Sequence, residues 1–157
     1  MKLVNILIFL MTFQLLFAFE FSKVIGVLKT EIEKSWKTIG ISSLEKTLLK
    51  NAKYISFGGK LVAKRNTTFY PYVKDALGRT NIERMEQGLA PIGKDGLPVE
   101  LHHLKQKDNG VIVELTATEH RGNYKILHRY EQNSQINRKE FEKWKKKYWK
   151  ERAKDFQ

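Results

Sequence analysis

The sequence predicts an α+β fold in which a ββα unit is flanked by helices. Three observations predict it. Val99 to Leu104 and Val111 to Leu115 read as strands, joined by a polar segment that contains the turn pair Asn109-Gly110. Thr116-Ala117-Thr118-Glu119 follows at once and has the form of a capping box, so a helix starts at Ala117. Asn137 to Phe156 repeats Phe141, Trp144, Tyr148 and Ala153 at helical spacing, which predicts a long terminal helix.

The remaining elements follow in chain order. Residues 1–19 run from Lys2 into an apolar stretch, Leu3 to Phe19, broken only by Asn5, Thr12 and Gln14. Its length and flanking charge fit a signal peptide or a membrane anchor over residues 1–20, with a buried hydrophobic helix as the alternative. Leu16 and Phe17 define no good cleavage site. Residues 21–67 read as a helical N-terminal or linker region. Val24, Ile25, Val27, Leu28, Ile32, Trp36 and Ile39 have near-helical spacing, Gly40 to Ser43 interrupts it, and Ser43 to Lys50 forms a second short helix. Gly58-Gly59 opens a strand, Lys60 to Lys64. Residues 65–80 are irregular. Asn81 to Met85 makes a turn or two of helix ended by Gly88, and Ala90 to Pro98 is dense in glycine and proline.

The bulk composition narrows the partners. At 157 residues the chain holds one domain and its tails. Twenty-nine Lys and Arg against 17 Asp and Glu give a net charge of +12, which points to a polyanion: nucleic acid or an anionic membrane surface. Half of that excess lies in Arg138 to Lys154, with nine basic and three acidic residues. Cysteine is absent, so disulfides and thiolate zinc sites are excluded, and a metal must be held by His, Asp, Glu, Asn or water.

All four histidines fall between residues 102 and 128. Imidazole is a common neutral metal ligand, and its charge changes near pH 7, so one residue type can hold a cation or take a proton from water. Adjacent residues of a strand face opposite sides, so His102 and His103 have different tasks: one faces the helix and the metal, the other water and substrate. Metal-assisted phosphodiester hydrolysis uses both tasks. Glu100, one strand repeat from His102, either orients a ligand or pairs with Arg79 or Arg84. Lys94, Lys105, Lys107 and Arg121 flank this stretch. Singly each reads as a solvated charge; together they form a basic rim.

Glu100-Leu101-His102-His103-Leu104, with Gly78-Arg79-Thr80-Asn81-Ile82-Glu83-Arg84-Met85 and Gly88-Leu89-Ala90-Pro91 before it and Glu119-His120 and Leu127-His128 after it, resembles the HNH/endonuclease VII superfamily of ββα-metal nucleases. The similarity is to the branch named for its Leu-His-His motif, found as toxin modules in bacterial polymorphic toxin systems. It covers about residues 68–130, leaving 131–157 as a basic C-terminal helix. The resemblance implies a general base at His103, with Glu100 and Arg79 beside it, and one divalent ion (Mg²⁺, Mn²⁺, Ni²⁺ or Zn²⁺) on His102, His120 and His128. It also implies DNA as substrate, with RNA as a further candidate, and a cognate immunity protein. One feature departs from it. Colicin-type relatives place their two helix histidines four residues apart, whereas His120 and His128 are eight apart. In an unbroken helix that is about 12 Å of rise, too far for one ion. Either the helix breaks near Gly122, or His128 contacts substrate and Asn123 serves as ligand or phosphate contact.

The expected activity is therefore a DNA endonuclease of little sequence specificity. The alternatives are a non-catalytic binder of nucleic acid or anionic membrane with a structural metal site, and a membrane-active toxin that uses residues 1–19 and the basic aromatic tail.

Overall fold

The computed structural model describes residues 42–129, 134 and 136–157. The expected signal or anchor over 1–20 and the helical run from residue 22 lie outside the described residues. Among those described, no helix is long and apolar enough to cross a membrane.

Helix α1 (Ser43–Leu49) starts where the sequence breaks, with Ser42 and Glu45 closing a capping box. The strand expected at Lys60–Lys64 forms as β2, and its antiparallel partner β1 (Lys53–Phe57) is a strand inside the region expected to be a helical linker. Gly58 and Gly59 make the tight turn between them at φ of 53° and 75°. Gly58 has a second reason to lack a side chain. A Cβ there would stand 2.7 Å from the Trp144 indole nitrogen, which donates to the Phe57 carbonyl at 3.2 Å.

Helix α2 (Asn81–Glu86) is capped by Thr80 and Glu83. Strands β3 (Glu100–His103) and β4 (Ile112–Leu115) pair antiparallel, with His102 opposite Val113 and His103 opposite Ile112. β2 joins β4 in parallel, giving a sheet in the order β1-β2-β4-β3. The hairpin that Asn109-Gly110 signals forms, with Gly110 N donating to the Lys107 carbonyl at 2.9 Å, but the loop is longer than a two-residue turn. Its left-handed residues are Lys105 (φ 62°) and Gln106 (φ 56°), and Gly110 is needed for space, since a Cβ there would meet the Leu104 carbonyl oxygen.

Thr116 and Glu119 close the expected capping box on α3 (Ala117–Gly122). Asn123, at φ −108° and ψ 21°, breaks the helix, and a single further turn follows as α4 (Tyr124–Leu127). The terminal helix α5 (Arg138–Ala153) starts on an Asn137 cap and ends in a 3-10 turn, Lys154–Phe156.

The faces of the sheet decide where everything else goes. α5 lays Phe141, Trp144, Tyr148 and Trp149 against Val62, Phe69, Met85, Val99 and Ile112, which form the core. Ile112 lies opposite His103, and Glu114 opposite Leu101, so His103 and Glu114 look toward α5 while Glu100 and His102 look the other way. The aromatic stripe packs and the lysines between its members point outward, as an amphipathic helix requires.

Candidate metal centre

β3 presents Glu100 and His102 to α3, because residues two apart share a face. α3 contributes His120. The break at Asn123 turns the chain back, and His128, at the C-terminal cap of α4, reaches the same point. Ring centroids of the three histidines are 4.9 to 5.1 Å apart, and one nitrogen from each lies within 4.8 Å of the others. The eight-residue spacing is thus resolved by a broken helix, and His128 belongs with the other two.

Neighbours set the tautomers. His120 Nδ1 donates to Glu100 Oε2 at 2.6 Å, which leaves its Nε2 lone pair facing His102 Nδ1 at 3.1 Å. His128 Nδ1 donates to the Tyr124 carbonyl at 3.1 Å, freeing its Nε2 in turn. A carboxylate behind a ligating imidazole is the usual support of a metal ligand. The 3.1 Å separation is close to the ~3.3 Å between two nitrogens that share one tetrahedral cation at ~2.0–2.1 Å each. The donor set therefore fits a divalent metal held by three protein ligands.

The electrostatics agree. Burial, reinforced by the neighbouring His120 and His128, lowers the His102 pKa to about 3. Burial lowers that of His128 as well. Both are neutral at pH 7, as ligands must be. Partial burial pushes the Glu100 carboxyl up, but hydrogen bonds from Arg121 and His120 outweigh it and hold the group below the usual carboxylate range. Replacing Glu100 with glutamine is expected to weaken metal binding about 10- to 100-fold, the size of effect such supporting groups have. Calorimetric titration of the metal-free protein checks this; unaltered affinity would remove Glu100 from the site.

His103 is placed differently. It is 3% exposed, on the α5 side of the sheet, with its ring edge-on to Phe141 at 4.3 Å and its Nε2 without a hydrogen-bond partner. Burial, with the positive charge of Lys60 nearby, lowers its pKa to about 4. The expectation that it faces water is not met in this conformation, because the terminal helix covers that face.

These two buried imidazoles carry a pH prediction. His102 and His103 titrate in the folded chain at about 3 and 4, below the ordinary 6.5. The unfolded chain thus binds more protons between those values. Stability from these groups is fully present above pH 6.5 and falls as pH drops through the window, by up to ~1.4 kcal/mol per pH unit for each. Urea melts of metal-free protein from pH 7 to 4.5 should show it, and alanine at both positions should flatten the dependence.

Other sequence-based expectations need correction. Glu100 pairs with His120 and Arg121, not with Arg79 or Arg84, which both bind Asp75 at 2.8 and 2.6 Å. Arg79 lies in a groove with Lys94 and is not brought to the histidines. Asn123 is no ligand through its amide nitrogen, which donates to the Glu119 carbonyl and closes α3. Arg121 stays at the rim with an exposed guanidinium fixed by Glu100. Lys105 and Lys107 sit half-buried in the connection after β3, and burial lowers the Lys105 pKa.

Two contacts of the site have no local sequence signal. Tyr124 stacks on His128 at 4.2 Å and 21°. Arg65 clamps Glu119 with two 2.9 Å bonds and also binds Glu114, so the cap of the helix that carries His120 is tied to the sheet. Glu119 is legible as a capping residue; its second partner, 54 positions away, is not.

A family model described as a nuclease of the HNH/ENDO VII superfamily with conserved LHH matches residues 80–155. No solved structure matches the chain.

Proposed function

We propose that this chain, whose residues 80–155 match the model of the LHH nucleases of the HNH/ENDO VII superfamily, is a metal-dependent endonuclease that hydrolyses DNA with little sequence specificity. The observation that carries the metal dependence is the convergence of His102, His120 and His128, with Glu100 behind one of them. Three imidazole ligands suit Zn²⁺ or Ni²⁺ better than Mg²⁺ or Mn²⁺, which favour oxygen ligands. When bound, such a cation neutralises charge building on the phosphate and stabilises the leaving oxygen.

The chain's own groups supply the rest. His102, His120 and His128 hold the ion, and Glu100 keeps the His120 tautomer and ring orientation. Arg121, exposed at the rim, binds a phosphate oxygen beside the cut. His103 takes the proton of the attacking water at Nε2; it directly follows His102 and is neutral at pH 7. In this conformation His103 faces α5 and His102 faces the other ligands, so for His103 to reach water beside the ion the end of β3 must bend as well as the Phe141 ring move aside. Lys105 and Lys107 extend the phosphate contacts, and the net charge of +12 draws the protein to DNA in a salt-dependent way.

The same reading makes the protein a bacterial toxin effector. Residues 1–20 deliver it across or onto a membrane, and an acidic immunity protein protects the producing cell. The sequence features that support this are the apolar N-terminus and the strong positive charge.

Plasmid nicking by the metal-free full chain, with and without Zn²⁺, Ni²⁺, Mn²⁺ or Mg²⁺, tests the reading. Cleavage that needs an added metal and is lost in His103→Ala is the expected result. A folded protein that nicks with no metal sinks the proposal. Metal-dependent nicking that survives in His103→Ala would make His103 a packing residue and assign the proton to another group.

A further inference from the structure

We propose that the groove beside Tyr70 binds an unpaired stretch of DNA, with a base on the tyrosine ring and the phosphates on Lys74 and Lys94; the inference rests on the nuclease reading for the identity of the polymer. The groove encloses about 690 Å³ between residues 70–79 and the glycine-rich loop at 92–96. Four cations line it, Lys74, Arg79, Arg84 and Lys94, against one carboxylate, Asp75. Asp75 does not cancel the lysines. Arg79 and Arg84 both bind its Oδ2, at 2.8 and 2.6 Å, and the Arg79 guanidinium holds its carboxyl well below the usual range. The field at the opening is that of an anion site.

The aromatic component points to a base as well as a phosphate. Tyr70 is 57% exposed, and the Lys94 ammonium stands 4.6 Å from its ring centroid. Tyr72, next but one in sequence, is 72% exposed, and Leu77 is 76% exposed. Large apolar side chains so open to water in one short segment mark a binding surface. A basic groove with an exposed ring beside it is the way proteins hold single strands, since every base has a π-face to stack and the backbone follows the charge. A duplex keeps its bases stacked on each other and offers the ring nothing. One loop of the groove is tied to the helix that carries His120: Thr118 N, two residues before His120, donates to Asp95 Oδ2 at 2.8 Å. Stacking in the groove supplies grip without reading sequence.

The test is fluorescence anisotropy of the full chain in EDTA, which prevents cleavage, with a short labelled single strand and with its duplex. Tyr70→Ala is expected to weaken single-strand binding about tenfold, equivalent to ~1.4 kcal/mol and within the range for one base stack. Tyr70→Phe should stay within twofold of the parent, and duplex binding should change by less than twofold in both variants. Equal losses on single strand and duplex, or no loss on either, overturn the proposal. If circular dichroism shows Tyr70→Ala unfolded, Lys94→Ala decides: it should lower the slope of log K against log salt for the single strand by about 0.7, one phosphate contact. An unchanged slope overturns the proposal just as firmly. Because binding is read without hydrolysis, the two readings fail separately. A protein that nicks no plasmid but loses single-strand affinity in Tyr70→Ala sinks the nuclease and keeps the groove. One that nicks but binds normally in Tyr70→Ala sinks the groove alone.

Discussion

Alanine in place of His102 is expected to abolish metal-dependent cleavage and to weaken metal binding by more than the 10- to 100-fold expected of a supporting residue such as Glu100. Two facts set the scale. His102 Nδ1 lies 3.1 Å from His120 Nε2, so among the described residues it is one of three imidazole nitrogens at the point of convergence. It is also 3% exposed, so water reaches the vacated position poorly and replaces the ligand badly. The folded chain should survive. His102 is a neutral polar group buried with its Nε2 unpaired, and removing it discards that liability as well as some packing. Calorimetric titration with Zn²⁺ and a thermal melt of the same sample check both halves. Undiminished Zn²⁺ affinity in His102→Ala would place the metal elsewhere. The melt guards against the other error, in which affinity falls because the protein has unfolded.

How much of this site is legible in the sequence depends on the range of the interaction. Thr116 and Glu119 specify the start of α3 within four residues, and the structure has that capping box. Glu100 and His102 share a strand face by alternation, again a local rule, and both meet His120. The break at Asn123 is less local. Gly122-Asn123 permits it, but what rewards it is Leu127, fully buried, and the arrival of His128 at the cluster. The strand Lys53–Phe57 carries a weak local signal, Lys-Tyr-Ile-Ser-Phe; it becomes a strand by pairing with β2 and by the bond from Trp144, 87 positions away. The burial of His103 has no local signal for a related reason. Alternation says that it faces away from His102, but not that Phe141 covers that face. Local chemistry fixes which residues can form the site, and long-range packing decides which of them meet water.

The strongest structural prediction concerns a side chain that local reasoning overlooks altogether. Glu114, in the middle of β4, is 0% exposed and binds Arg152, itself 2% exposed, at 2.8 Å. Tyr148 donates to the same carboxylate at 2.6 Å, and the Arg65 amide donates to its other oxygen at 2.7 Å. Arg152 is satisfied in turn by Asn66 and Asp155. Burial and the Glu114 charge raise the pKa of Tyr148, so it stays a neutral donor. A buried pair with every partner in place contributes little net stability, because desolvation offsets attraction, but removing one member strands the other charge. Arg152→Ala or Glu114→Ala should therefore destabilise the fold by ~3–5 kcal/mol. The damage should extend to the metal centre. Arg65 joins this network to Glu119, the capping residue of α3, so loosening Glu114 frees the helix that presents His120. Denaturant melts of the single variants and of Glu114→Leu combined with Arg152→Met separate the terms. The singles should fall by the full amount and the apolar double should recover most of it, since no charge is left unpaired. Zn²⁺ affinity should fall in both singles even under conditions where they are folded, a loss that a purely structural role far from the site would not produce. If the singles are as stable as the parent, the pair is not buried as described. If they are destabilised but bind Zn²⁺ normally, the chain of contacts through Arg65 carries no coupling, and α3 is held by its own cap and its packing on the sheet.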